Sequence, residues 1–182
     1  MQATMNRRRL ALVFDPLEGR ILREILGKIV ANYQLNPEQL DAKAASAWYS
    51  TRGCERAKMS AEETREWLQN LHQYKSGNVA QLLRWCRRLA PAKAEGQLRL
   101  SMTVEQASIF LTALNDHRLF LAAWHDIGQD EMDATPAVFL TKLQVAQQVA
   151  LSEIHFLGWI IQKILEFLPG NPGGWMEEIG GG

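Results

Sequence analysis

The segment Thr112-Ala-Leu-Asn-Asp-His-Arg-Leu-Phe-Leu-Ala-Ala-Trp124 decides the fold that we expect for this chain. Its apolar residues recur at helical spacing, which predicts a buried α-helix from about Val104 to Ile127, ended by Gly128. The same run holds three polar side chains that could take part in chemistry: Asn115, Asp116 and Arg118.

Steps of about 100° per residue place the polar side chains around this helix. Arg118 and His125 fall in the middle of its apolar face, and Asn115 lies at the edge of that face. A charge centred on an apolar face needs a partner, a cavity or an interface. The opposite face, which we expect to meet solvent, carries Glu105, Ser108, Thr112, Asp116 and Asp126.

A second long helix is predicted from Thr135-Pro136 to about Leu168, where a proline at the first helical position follows a capping residue. The acidic loop Gln129–Asp133 joins it to the first helix. We interpret that loop as a solvated turn, because it lacks the central glycine and terminal glutamate of a calcium loop. The two helices are expected to form a long antiparallel hairpin.

Glu153 lies on the apolar side of this second helix. In the hairpin, Arg118 is level with about Gln144, so Glu153 lies about 13 Å away along the axis, too far for contact. We therefore expect Glu153 to meet a cation from elsewhere. The candidates are Arg84, Arg87 and Arg88.

Capping residues also mark several helix starts in the N-terminal half of the chain. Asp15-Pro16 opens one helix, Asn36-Pro37 opens a second toward Trp48, and the capping box Ser60–Glu63 opens a third. Two short segments rich in strand formers, Leu10–Phe14 and Leu98–Met102, are predicted to pair as a two-stranded β-ribbon.

The predicted fold is all-α, a compact helical domain over residues 1–168 with the C-terminal hairpin and the small ribbon. Residues 169–182 are rich in glycine and proline, which predicts a flexible tail that carries Trp175 and Ile179.

Composition excludes several classes of function. Twenty basic and twenty acidic residues cancel, which argues against a general nucleic-acid binder; only Arg7–Arg9 forms a basic run. The longest apolar stretch, Phe156–Leu168, is too short and too charged to span a bilayer. Cys54 and Cys86 fit free thiols in a reducing compartment, and no signal-peptide pattern is visible. These features predict a cytoplasmic protein.

The chain matches none of the common catalytic or metal-binding templates. It has no phosphate-binding glycine loop, nucleophile elbow or Glu-x-x-His pair. Its four histidines lack the spacing of metal ligands: His72, His117, His125 and His155. We therefore predict no catalytic residues, no metal and no cofactor.

The stretch Ala113-Leu-Asn-Asp-His-Arg-Leu-Phe-Leu121 resembles the "A-L-N-D-x-R-L-x-L" signature of the DUF2017 family of uncharacterised bacterial proteins. Thr103–Gln106 and Phe156–Ile160 resemble two further elements of that family, whereas His117 departs from the apolar residue expected there. The resemblance implies a small, mostly helical protein without assigned catalysis. Some members are encoded beside an adaptor of the Clp protease, which implies a loose link to protein turnover.

We expect a non-catalytic interaction module, regulatory or adaptor in kind, that binds a protein partner or forms a homodimer. The predicted interface residues are Phe156, Trp159, Ile160, Phe167 and Trp175. The alternative is an enzyme or small-ligand-binding protein, in which Arg118 holds an anion and His125 acts as acid or base. Its pocket would be lined by Asn115, Asp116, Arg118, His125 and Glu153. If these groups are instead paired inside the protein, they serve to fix helix packing.

Overall fold

The computed structural model describes residues 1–6, 9–90, 97–133 and 143–168. Helices dominate these residues, which confirms the mostly helical class predicted from the sequence. The helices are α1 (Pro16–Tyr33), α2 (Ala42–Trp48), α3 (Arg52–Arg56), α4 (Ala61–Gly77), α5 (Val79–Arg88), α6 (Val104–Trp124), α7 (Gln129–Asp133) and α8 (Val145–Leu165).

A small antiparallel sheet joins the start of the chain to its middle. Its strands are β1 (Gln2–Asn6), β2 (Arg9–Phe14) and β3 (Leu98–Thr103), in the order β1-β2-β3. The predicted pairing of the second and third strands is confirmed, with Leu10 opposite Met102 and Phe14 opposite Leu98. The ribbon is not two-stranded, because β1 pairs along the other edge of β2.

Local capping chemistry sets where the main helices begin. The side chain of Asp15 accepts from the backbone N–H groups of Leu17 and Glu18 at the start of α1, and Ser60 and Thr103 form capping boxes at the starts of α4 and α6. The start predicted at Asn36-Pro37 gives only a 3-10 turn, Pro37–Gln39, and α2 begins instead after the cap Asp41.

Helix α6 ends earlier than predicted, at Trp124 rather than Ile127. Asp126 takes a left-handed backbone conformation with φ of 51°, and the N–H of Ile127 returns to the carbonyl of Ala122 at 2.9 Å. This is the hydrogen bond of a Schellman turn, in which the left-handed residue stops the helix before Gly128 is reached.

The core lies between the sheet and the helices that pack on it. The buried apolar residues come from β2 and β3, from helices α1, α5, α6 and α8, and from the end of α2. Helix α6 packs against α8 and also against α2, so two of its faces are covered. The helix start predicted at Thr135-Pro136 and the tail after Leu168 lie outside the described residues. Within the described ranges, no helix is both long enough and apolar enough to cross a membrane.

Candidate functional site

Asp116, which we expected on the solvent face of α6, is buried at 8% exposure. The Tyr33 hydroxyl donates to its Oδ2 at 2.5 Å, and Lys75 Nζ donates to the same oxygen. The Trp48 indole N–H donates to the backbone carbonyl of Asp116 at 2.5 Å. The expectation was wrong because α2 packs on this side of α6, which the pattern of one helix does not reveal.

Lys75 on α4 is the cation of this cluster and is 2% exposed. Its Nζ lies 5.4 Å from the ring centroids of both Tyr33 and Trp48, and 5.9 Å from that of Tyr49. Aromatic faces attract a desolvated ammonium group. One carboxylate and three rings therefore compensate the buried charge together, and we call these five residues the Lys75 cluster.

The tyrosines of the Lys75 cluster stay in their hydroxyl form. Burial raises the pKa of Tyr33 far above its ordinary value, and the negative charge of Asp116 raises it further. Burial and the Asp116 charge also raise the pKa of Tyr49. A neutral Tyr33 hydroxyl is a hydrogen-bond donor, which is the role that the Asp116 carboxylate requires of it.

A second tie lies between α6, α8 and α1. His117 Nε2 is 2.6 Å from Glu153 Oε1, and Lys28 Nζ donates to Glu153 Oε2 at 2.9 Å. Burial acts to raise the pKa of Glu153, but the hydrogen bonds from His117 and Lys28 outweigh it and lower that pKa. The expectation that Arg84, Arg87 or Arg88 would pair with Glu153 was wrong, because the basic residue that donates to its carboxylate is Lys28.

The contact between α6 and α8 has a different register from the one predicted. Glu153 lies against His117 rather than level with Ile109, and the Gln147 side chain donates to the backbone carbonyl of His125 at 2.9 Å. The predicted register assumed a tight connection into a helix that starts at Thr135. The helix that packs on α6 begins at Val145, which shifts every facing pair.

The five residues predicted to line one pocket do not converge on one place. Asp116 faces α2 and α4, Glu153 faces α1, and Asn115 is exposed. Arg118 is half-buried and lies over Gly158, where an added Cβ would be 3.6 Å from its Cζ. His125 forms the C-cap of α6 and is half-buried.

Two surface cavities lie elsewhere on the described part of the molecule. The larger, of about 520 Å³, is lined by Ser46, Ala47, Tyr49, Ser50, Thr51, Arg52 and Glu55. The smaller, of about 220 Å³, is lined by Arg9, Gln81, Arg84, Arg88, Ser101 and Gln106. Neither is lined by a residue of the predicted pocket. In the part of the chain that the structure describes, no three His, Cys, Asp or Glu side chains gather as a metal-binding group.

Sequence reasoning missed Lys75, the residue around which the buried cluster forms. A signal for it exists, because Leu68, Leu71 and Lys75 follow the three- and four-residue spacing of one helix face. A lysine on that face indicates a buried charge that needs a partner.

Helix α8 leaves part of its apolar surface uncovered. Val145 is 76% exposed, Val149 63% and Trp159 37%. Phe156 is half-buried, with its ring centroid 6.2 Å from that of Trp159. Ile160, expected at the same surface, is instead fully buried in the core. Phe167 is half-buried and packs on the core, and Trp175 lies outside the described residues.

The fold and these contacts define a mostly helical domain with a small sheet, held together inside by buried polar ties. The chain belongs to the DUF2017 family, a domain of unknown function whose model matches residues 1–168. The resemblance seen in the Ala113–Leu121 motif is therefore confirmed and extends over most of the chain. No curated protein and no solved structure matches it.

Proposed function

We propose that this protein is a non-catalytic interaction module that associates through the exposed face of α8, and that the surface it binds is α8 of a second copy. The observation that carries the proposal is a stripe of apolar side chains along that face, in which Val145, Val149 and Trp159 are exposed and Phe156 is half-buried. Contiguous apolar surface of this kind marks interaction sites more often than scattered single residues do.

The spacing of the stripe supports a helix as its occupant. Positions 145, 149, 152, 156, 159 and 163 alternate intervals of four and three residues, which is the repeat that two supercoiled helices bury between them. Ser152 is the third of these six positions and Lys163 is the last. A partner helix along this face would therefore contact a seam of about five turns.

The stripe is also complementary to itself. It places two small branched residues, Val145 and Val149, seven and three positions before Ser152, and two aromatic residues, Phe156 and Trp159, four and seven positions after it. An antiparallel second copy centred on Ser152 sets Val145 against the Trp159 side chain of the other chain, and Val149 against its Phe156. Small residues facing large ones fill space evenly, and a twofold axis makes every such contact twice.

The pairing of the acidic side chains supports a non-catalytic role. Asp116 and Glu153, two acidic groups of the alternative pocket, are paired with Lys75, Lys28 and His117. Groups engaged in this way fix helix packing. Cys54 and Cys86 are both free thiols, which supports placing the module in a reducing, cytoplasmic compartment.

Sedimentation velocity over a range of protein concentrations tests the proposal. We expect wild type to form a dimer that Val149→Glu converts to monomer, because the new charge would be buried in the seam. Val149 is exposed in the single chain, so the variant keeps its fold, which circular dichroism checks.

Leu83→Glu is the matched control. Leu83 is an exposed leucine on α5, at 39% exposure, so the same kind of change there leaves the dimer intact. A wild type that stays monomeric at high concentration, or a dimer that survives Val149→Glu unchanged, contradicts the proposal.

A further inference from the structure

The smaller of the two cavities brings together three arginines from two separate parts of the chain. Arg9 lies at the start of β2, and Arg84 and Arg88 lie one turn apart on the same face of α5. Ser101 of β3 and Gln106 in the first turn of α6 complete the wall together with Gln81. The fold, rather than one basic segment, brings these charges together.

Within the described part of the chain, no acidic side chain neutralises the positive charge of this cavity. No acidic residue belongs to its wall, and among the described residues no carboxylate forms an ion pair with Arg9, Arg84 or Arg88. The whole chain has a formal net charge of zero. The cavity therefore holds a local excess of positive charge on an otherwise balanced molecule.

The hydrogen bonds within the wall use its side-chain oxygens as acceptors. The side-chain oxygen of Gln81 accepts from Arg84 at 2.5 Å, that of Gln106 accepts from the N–H of Thr103 at 3.0 Å, and the Ser101 hydroxyl accepts from Arg9 at 3.1 Å. The two amide NH₂ groups, the Ser101 O–H and the remaining guanidinium N–H groups are all donors.

Helix stabilisation accounts for only one of these charges. Basic residues in the last turn of a helix interact favourably with its dipole, and Arg88 is in the last turn of α5 with Arg87. Arg84 lies earlier in α5, and Arg9 lies on a strand. Their convergence with Arg88 needs a different reason.

We propose that this cavity binds a phosphate group, either as free phosphate or as part of a small phosphate ester. Guanidinium groups recognise phosphate oxygens through charge-assisted, often paired hydrogen bonds. A volume of about 220 Å³ suits a phosphate-sized group and is smaller than the pockets that enclose drug-sized ligands. The site is independent of the α8 surface.

Isothermal titration calorimetry of the full chain with inorganic phosphate tests this site, with sodium chloride holding the ionic strength constant. We expect saturable binding of one phosphate per chain. Arg84→Gln and Arg88→Gln should each weaken it by about tenfold or more, which is the loss of one charge-assisted hydrogen bond. Glycerol 3-phosphate as a second probe distinguishes the sources, since tighter binding of the ester identifies an esterified phosphate as the ligand.

Arg87→Gln is the matched control, because it removes the same charge from the same helix turn without touching the cavity wall. Thermal unfolding of each variant confirms that it is folded. Phosphate binding that is absent in wild type, that Arg87→Gln weakens as much as Arg84→Gln does, or that acetate matches in affinity would overturn the assignment.

Discussion

Replacing either Lys75 or Asp116 leaves the charge of the other without its partner. Both are buried, and a buried ion without its partner is costly. We expect Lys75→Met to lower the free energy of unfolding by about 3–5 kcal/mol, and Asp116→Leu to do the same. Urea unfolding followed by circular dichroism measures both.

The double variant Lys75→Met/Asp116→Leu provides the control for this pair. It removes both charges, so its loss of stability should be clearly smaller than the sum of the two single losses. Additive losses would mean that the ion pair is not what couples the two positions.

Glu153 makes stability depend on pH in the acid range. Its pKa in the folded protein is lower than the ordinary 4.5, so the unfolded chain binds a proton first as the pH falls. The stabilisation that follows is fully present above about pH 4.5 and is lost as the pH falls through the folded pKa.

Glu153→Gln removes the titratable carboxyl group but keeps the size and shape of the side chain. We expect the difference in free energy of unfolding between wild type and variant to be constant near neutral pH and to shrink below about pH 4.5. Urea unfolding at a series of pH values measures it. A difference that grows on acidification would contradict the stabilising contacts of Glu153 with Lys28 and His117.

Helix α1 carries two glycines whose replacement should have opposite effects. Nothing lies within 4 Å of a Cβ added at Gly27, so Gly27→Ala should raise stability by about 0.5–1 kcal/mol through helix propensity alone. A Cβ at Gly19 would collide with the Leu98 side chain of β3, whose Cγ it would approach to 3.3 Å. Gly19→Ala should therefore lower stability, and thermal unfolding separates the two. Equal gains in stability from both substitutions would mean that α1 does not pack closely on β3 at Gly19.

Elements whose signals are local were predictable, and elements that depend on a distant partner were not. The helix starts at Asp15, Ser60 and Thr103 can be predicted from sequence, because a capping side chain hydrogen-bonds to backbone groups within one turn. Strand β1 has no comparable pattern, and its place is set by the free edge of β2. The register of α6 on α8 depends on where α8 begins, and the sequence pattern did not reveal the start at Val145.

The candidate sites show the same difference between local sequence signals and contacts between distant parts of the chain. The face of Asp116 was misassigned because a helical wheel shows which residues share a side, but not that α2 covers it. Arg9 and Arg84 are far apart in sequence, so only the packing of α5 beside the sheet brings them to one cavity. Charge balance over the whole chain conceals such a local excess.

At the scale of the whole molecule, the proposed α8 dimer would make stability depend on protein concentration. Unfolding of a dimer also separates the chains, so each tenfold increase in concentration adds about 1.4 kcal/mol, shared by two chains. For a chain of this length we expect the Tm of wild type to rise by about 2 °C per tenfold. Differential scanning fluorimetry over a wide concentration range measures the slope.

Val149→Glu should remove this slope, because its monomer unfolds without dissociation, whereas Leu83→Glu should keep it. Phosphate should raise the Tm of all three proteins alike, since a ligand of the folded state stabilises it whether or not the chain is paired. The α8 dimer and the phosphate site can therefore be tested independently of each other. A flat concentration dependence in wild type would exclude the α8 dimer while leaving the phosphate effect in place, and the reverse result would exclude the arginine site alone.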